Sequence, residues 1–263
     1  VQDLSNYRFL LLAFAVNDLW FPLVHALTMP AICSYRDAFL MFSKGILTSK
    51  FSICLFASVG TQLMPIMGHL FIYRLVVLRW PISAKFYTGI NSFLIIMATV
   101  LLQLALWFTN CWFNYDSDDE LRNYVKPFLD SDFPGEGQEH IGVLYYNEKG
   151  LRLSALMATL GFDGIMVFWC TIIGCCTILT VRSLRAGKGK RAVRTQQLQK
   201  QLFKTLVWQM IIPIISLYIP CAGIINAPIL VHLSVSPSLV SAALSFFPVV
   251  DAVITLVGVK MFR

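Results

Sequence analysis

Three carboxylates in this chain stand where a carboxylate is costly. Asp18, Asp163 and Asp251 each interrupt a run of apolar residues long enough to cross a bilayer. Such a group either has a partner or does a job, and three kinds of work are open to it. Paired carboxylates sharing a site could do aspartyl-protease chemistry, and "LGFDG" around Asp163 invites that thought. The pairing is missing, however, because the three acids lie in separate segments. A relay of acids could pass protons or cations, as in a transporter or channel subunit. Against this, the chain has no filter-like loop and no two matching halves with broken helices. The third option is a polar network inside a helix bundle, linking Asp18, Asp163 and Asp251. For Asp163 a structural hydrogen bond is the plainer role. No metal chemistry is indicated: His25, His69, His140 and His232 are scattered and no CxxC or Cys/His spacing occurs. No cofactor is implied.

Composition explains why these acids are embedded. The 263 residues are 57% hydrophobic and only 13% charged, against roughly 25% charged in a soluble domain, and mean hydropathy is +0.69. The chain reads as an all-α, polytopic membrane protein. Its net charge of +7 does not indicate nucleic acid, because the basic residues flank apolar runs. The gaps between charges predict six spans, at 7–29, 51–74, 88–112, 153–181, 203–224 and 237–259. They must be helical, because lipid offers no partner to a backbone amide. Asp18 falls about 11 residues into its span, near mid-bilayer at about 1.5 Å per residue.

Orientation follows from Lys and Arg. With both Val1 and Arg263 in the cytosol, 14 of the 21 basic residues lie inside. The segment 182–202 then becomes a basic cytosolic loop, and 113–152, with nine of the 14 acids, an acidic extracellular loop. That loop reads as a solvated lid. The basic loop is a topology signal first, and a contact for anionic lipid second. Cys33, Cys54 and Cys111 fall near one membrane face, where one disulfide among the three is open to the chain, with Cys54 and Cys111 as the candidate pair. The other four cysteines read as small apolar residues.

Pro248 and Asp251 lie one turn apart in "FFPVVDAVITLVGVKMFR". The proline removes a backbone hydrogen bond and the acid supplies a polar handle, which together make a hydrated kink. Arg74 ends an uncharged run of 23 residues and so reaches the cytosolic interface. By itself it would be a snorkelling anchor.

Several stretches in order carry a family resemblance: "LSNYRFLLLAFAVNDLW" and "LTMP" near the start, "FIYRLVVLRWP", "HIGVLYY", "LQKQLFKTLVWQMIIPIISLYIP" and the closing "FFPVVDAVITLVGVKMFR". Together they resemble the nematode serpentine chemoreceptors of the Str class (class r), and in part the related Srh and Srj classes. Leu75 departs from the pattern, where members usually carry an aromatic. The resemblance covers almost the whole chain and implies a seven-helix G-protein-coupled receptor of olfactory type. Six helices are present, and the first of the seven is expected upstream of Val1. It further implies a small external ligand, a heterotrimeric G protein, the plasma membrane, and switch roles for Tyr73, Arg74, Pro248 and Asp251. A ligand pocket is expected between the helices toward the outside. Spacing nominates Gln62, Met64, Met157, Thr159, Tyr218 and Cys221 for it. No chemical step is implied.

Overall fold

The computed structural model describes residues 2–80, 89–135, 139–148, 150–186, 193–232 and 234–235. Pro248, Asp251 and the span expected at 237–259 lie outside the described residues, as does the stretch 187–192 of the basic loop.

The helices are α1 (Gln2–Thr28), α2 (Lys50–Gly60), α3 (Leu63–Arg79), α4 (Gly89–Asn114), α5 (Asp119–Asp132), α6 (Leu153–Ala186), α7 (Val193–Pro213) and α8 (Ile219–Leu230). Among the described residues, four helical stretches are long and apolar enough to cross a membrane: Lys50–Arg79, Asn91–Asn114, Leu153–Ala186 and Gln199–Leu230. Leu12–Thr28 is a shorter apolar helix. These five correspond to the first five expected spans. The long helices α4 and α6 turn Leu101, Leu102, Leu106, Val167 and Phe168 outward, the surface a lipid-facing helix presents.

Two of the described crossings are irregular, and proline is the reason both times. The span expected at 51–74 is two helices, α2 and α3, separated at Thr61 and Gln62. Pro65 has no N–H to give the Thr61 carbonyl four residues back. That carbonyl instead accepts from the Gln103 side chain of α4 at 3.1 Å. Gln103 in turn accepts from the Trp169 indole of α6, so one glutamine fastens three helices at the break. Next to it, Gly68 lies against the Trp169 ring so closely that a Cβ would meet the ring at 2.5 Å. The second irregularity is the π-helical turn Ile214–Tyr218 joining α7 to α8. Pro213 and Pro220 flank it, and Ile219 N–H reaches back to the Ile214 carbonyl. A lost donor at each proline is what lets the helix take an extra residue here.

The largest departure from the sequence reading is at one end of the bundle. The segment 113–152 is not an irregular lid: it carries the end of α4, then α5, β3 (His140–Leu144), β4 (Tyr146–Asn147) and β5 (Gly150–Leu151). Its β3 joins a hairpin of β1 (Pro30–Tyr35) and β2 (Ala38–Ser43) in an antiparallel sheet ordered β1-β2-β3. Cys33 faces Leu40, and Leu40 faces Gly142. Alternate side chains on a strand point to opposite faces, and here both faces are buried. Ile32, Phe39, Met41, Ile141 and Val143 join the main core of the bundle. Ala31, Cys33, Ala38, Leu40, Phe42 and Leu144 form a second core with Leu121, Val125 and Leu129, one stripe of α5. Gly142 is required by this packing, since a Cβ there would sit 2.3 Å from the Phe39 carbonyl oxygen. The α5 helix is started by Asp118, whose carboxylate accepts from the Leu121 amide at 2.8 Å. Sheet and helix form a two-layer cap on the bundle.

Candidate functional site

Under the cap lies a cavity of about 90 Å³. Its roof is the inner face of the sheet, through Ile32, Phe39, Met41 and Ile141. Its walls are aromatic: Phe21 of α1, Phe56 of α2, Trp107 of α4 and Phe162 of α6. Trp107 stacks on Phe162 with centroids 4.2 Å apart, and Phe162 on Tyr115 at 4.9 Å. Its floor is where the two irregular crossings meet, with Gly60 and Thr61 on one side and Leu217, Tyr218 and Cys221 on the other. Tyr218 donates from its hydroxyl to the Gly60 carbonyl at 3.3 Å, joining the helix break to the π-turn directly. Among the described residues, the one carboxylate in the lining is Asp163, which accepts from Asn226 of α8 at 3.3 Å.

A directed hydrogen-bond chain holds the cap to the helices behind this cavity. Tyr145, at the end of β3, donates to the Ile225 carbonyl of α8 at 3.1 Å. Its single proton is then spent, so it accepts from Thr159 of α6 at 2.7 Å. Thr159 can therefore only accept from Tyr115, at 2.9 Å. Proton direction runs from Tyr115 through Thr159 and Tyr145 to the α8 backbone, and each bond polarises the next. Burial pushes the Tyr145 phenol up to about 12, despite its hydrogen bonds to Thr159 and Tyr115, so it remains a donor at any physiological pH. Tyr146 adds a bond to the Ile229 carbonyl at 3.2 Å.

The residues following α8 are tied to the hairpin turn. His232, held at a φ of 49°, bonds the Asp37 carboxylate, which also accepts from Tyr124 at 3.2 Å. Val235 N–H donates to the Ser34 carbonyl at 3.0 Å, and Arg36 N–H to the Ser234 hydroxyl at 3.1 Å.

The nominated residues divide cleanly. Tyr218, Cys221 and Asp163 line the cavity. Thr159 is wholly buried one layer behind, in the hydrogen-bond chain. Gln62 and Met64 are buried but do not line it; the Gln62 amide donates to the Ser58 carbonyl at 2.9 Å, mending the helix break. Met157 is 60% exposed on the outer surface of α6 and so faces away. Asp18 is half-buried on α1 and is not part of the lining. Cys54 and Cys111 are both thiols in this structure, and they hydrogen-bond each other across α2 and α4; Cys111 also lines the cavity. Cys33 is apart from them, on the face of β1 that meets α5. Burial there raises its thiol to about 12 against the opposing charge of Lys44. No group of three or more potential metal ligands occurs among the described residues. The sheet residues of the roof and the wall aromatics were not singled out from the sequence. Apolar residues in an apolar chain carry no local mark of which cavity they will line.

At the opposite end of the bundle, Tyr73 and Arg74 of α3 are both buried. Arg74 does not point out to the membrane surface. Its guanidinium donates to the Gln199 side chain of α7 at 3.1 Å, joining α3 to α7.

A bundle of apolar helices enclosing a small apolar cavity beneath a folded cap defines a multi-pass membrane protein. Residues 1–263 match throughout the family described as "Serpentine type 7TM GPCR chemoreceptor Str", and the chain belongs to that family. It is similar to Serpentine receptor class J-38 of Caenorhabditis elegans, with 26% identity over 84% of this chain and 69% of that one. It is also similar to G-protein coupled receptor str-33 of the same organism, at 23% identity over 98% of this chain and 79% of the relative. Serpentine receptor class r-10 of Caenorhabditis briggsae is 24% identical over 100% of this chain and 80% of its own length. No solved structure matches the chain. The family is one of receptors, not of enzymes.

Proposed function

We propose that the chain is a chemosensory receptor that binds a small external molecule in the capped cavity and activates a heterotrimeric G protein at the opposite, cytosolic end. The observation that carries this reading is the place of the cavity. It lies where the break in the third receptor helix (α2 and α3) meets the π-turn of the sixth (α7 and α8), bridged by Tyr218 and Gly60. Helices are easiest to move where their ladder is already interrupted. A ligand touching Leu217, Tyr218 and Cys221 can therefore favour one setting of the π-turn over another, and only such differential contact shifts an equilibrium.

The far end of the same helix carries Gln199, bonded to Arg74. Tyr73 and Arg74 would hold the resting arrangement, and a moved α7 would release Arg74 and open a surface for the G protein. Pro248 and Asp251 would supply the companion switch in the seventh helix, with Asp18, Asp163 and Asp251 as embedded polar groups. The receptor would sit in the plasma membrane with both ends of this chain cytosolic. The ligand is small and largely apolar. A cavity of about 150 Å³ holds benzene, so 90 Å³ fits roughly half a dozen heavy atoms or fewer. One hydrogen-bonding group would be met by Asp163 or Thr61.

Nucleotide exchange on a G protein, with the receptor expressed at the cell surface and challenged with small volatile and water-soluble compounds, tests the reading. A ligand-dependent rise lost in Arg74→Ala and Asp251→Ala is the expected result. Surface-expressed protein that drives no exchange on several G proteins, yet passes ions without ligand, would replace the receptor reading with a transporter.

A further inference from the structure

A second cavity, of about 290 Å³, opens between α6 and α7 at the end of the bundle away from the cap. Val181, Leu184 and Phe203 give it apolar walls, and Arg185 and Lys200 place two cations at it. Leu184 and Phe203 are buried, while both cations are exposed. Neither cation has an ion-pair partner among the described residues. The surrounding sequence offers none nearby either: from Arg182 to Lys204 there are eight Lys and Arg and no acid.

We infer that this gap is a binding site for an anionic phospholipid of the cytosolic leaflet, with its phosphate between Arg185 and Lys200 and an acyl chain against Val181, Leu184 and Phe203. The two halves of the cavity demand the two halves of such a molecule. The apolar walls gain by being covered with an acyl chain, and the two exposed cations, with no ion-pair partner among the described residues, attract its phosphate. The inner leaflet supplies anionic headgroups at high local concentration, and each nearby Lys or Arg adds appreciably to their attraction.

The position gives the lipid a consequence. Lys200 follows Gln199, the acceptor for Arg74. Phe203 meets Phe71 of α3 edge-on, with centroids 6.2 Å apart. A lipid held by Lys200 and Phe203 therefore bears on the α3–α7 junction and stabilises its bonded form. This inference rests on the reading that the basic end faces the cytosol.

The test needs neither odorant nor G protein, so it stands apart from receptor activity. The purified full chain is titrated with phosphatidylinositol 4,5-bisphosphate, phosphatidylserine or phosphatidylcholine, and bound lipid is counted by native mass spectrometry. The anionic lipids should bind and phosphatidylcholine should not. Arg185→Ala with Lys200→Ala should weaken binding about tenfold or more, and Leu184→Trp, which fills the cavity while keeping the charge, should weaken it as well. Lys188→Ala with Lys190→Ala removes the same charge from the loop and should change affinity less than about twofold. Equal losses in the two double variants would mean diffuse attraction and overturn the site. So would equal binding of phosphatidylcholine, a soluble inositol phosphate that binds as tightly as the lipid, or an acidic peptide that occupies the Arg185 and Lys200 site where lipid does not. An epitope inserted at Gly189 should be readable only after cells are permeabilised; if it is readable on intact cells, the orientation has failed, whatever the lipid titration shows.

Discussion

The two ends of this bundle are built on opposite plans. At the capped end, polar groups are bonded to one another in series: Tyr115, Thr159, Tyr145 and the α8 backbone form one chain, and Asp37 gathers Tyr124 and His232. Apolar side chains fill both faces of the sheet. At the basic end, α7 meets α3 through the Arg74–Gln199 hydrogen bond and the edge contact of Phe203 with Phe71, and an open cavity separates α6 from α7. The proposed function would make use of this asymmetry. The end that recognises a small molecule gains from being fixed in advance, while the end that couples to a partner must have two arrangements of similar energy.

The comparison is most easily broken by removing one buried phenylalanine from each end. Phe39 is 1% exposed and meets Tyr115 edge-on at 5.8 Å. Phe39→Ala should cost about 3–5 kcal/mol of stability, because the cavity it borders lies under the cap, where lipid cannot fill the space left. Phe203→Ala borders an existing cavity that lipid can enter, so it should cost no more than about 2 kcal/mol. Thermal unfolding in detergent measures both, and equal costs would mean that the two ends are equally well packed.

The hydrogen-bond chain gives a finer contrast. Thr159→Val keeps the shape but removes the acceptor for Tyr115 and the donor to Tyr145, so about 1–3 kcal/mol should be lost. Gln199→Leu at the other end takes an acceptor from the buried Arg74 guanidinium, so about 1–3 kcal/mol should be lost there as well, but here ligand-independent nucleotide exchange should rise. A variant that lowers stability without raising exchange would show that the Arg74 bond is structural only.

The smallest effect lies in the cap's own helix. Partial burial pushes the Asp118 carboxyl up, but the Leu121 amide and Arg152 pull it further down, so it sits below the ordinary carboxylate value. A depressed folded value means that the stability it adds is present at neutral pH. That stability is lost as pH falls below about 4, toward the folded value. Asp118→Ala should cost about 1 kcal/mol and Asp118→Asn only a few tenths, since asparagine caps nearly as well. The Ala variant's deficit should shrink below about pH 4, where the parent's carboxylate is itself protonated; circular dichroism melts across pH 3–7 would reveal it.

Much of the bundle was legible in the residue order. Charge-free runs marked the five described crossings to within a few residues, because a charge in hydrocarbon is too costly to be placed casually. Tyr218 and Cys221, nominated by spacing, do line the cavity, and Asp163 has the structural hydrogen bond expected of it, with Asn226, while also bordering the cavity. The cap was not legible. "AFLMF" gives no strand signal, because alternation appears only when one face of a strand is wet, and both faces of β2 are dry. The α5 segment is rich in acid and reads as solvated, although Leu121, Val125 and Leu129 form a buried stripe along it. Met157 was misplaced for the opposite reason: on a lipid-facing helix, an apolar residue has the same type whether it looks in or out.

The sequence by itself determined that the chain crosses a membrane repeatedly, roughly where it does so, and which family it belongs to. These follow from composition and order along the chain, through the solvation cost of charge and backbone. Only the tertiary structure decided that two stretches more than 60 residues apart, 30–43 and 140–144, pair as a sheet. It also decided that this sheet roofs the cavity, and that Arg74 meets Gln199, 125 residues away. Such contacts depend on which helix faces come together, and in an interior where nearly every residue is apolar, packing geometry rather than residue type makes that choice.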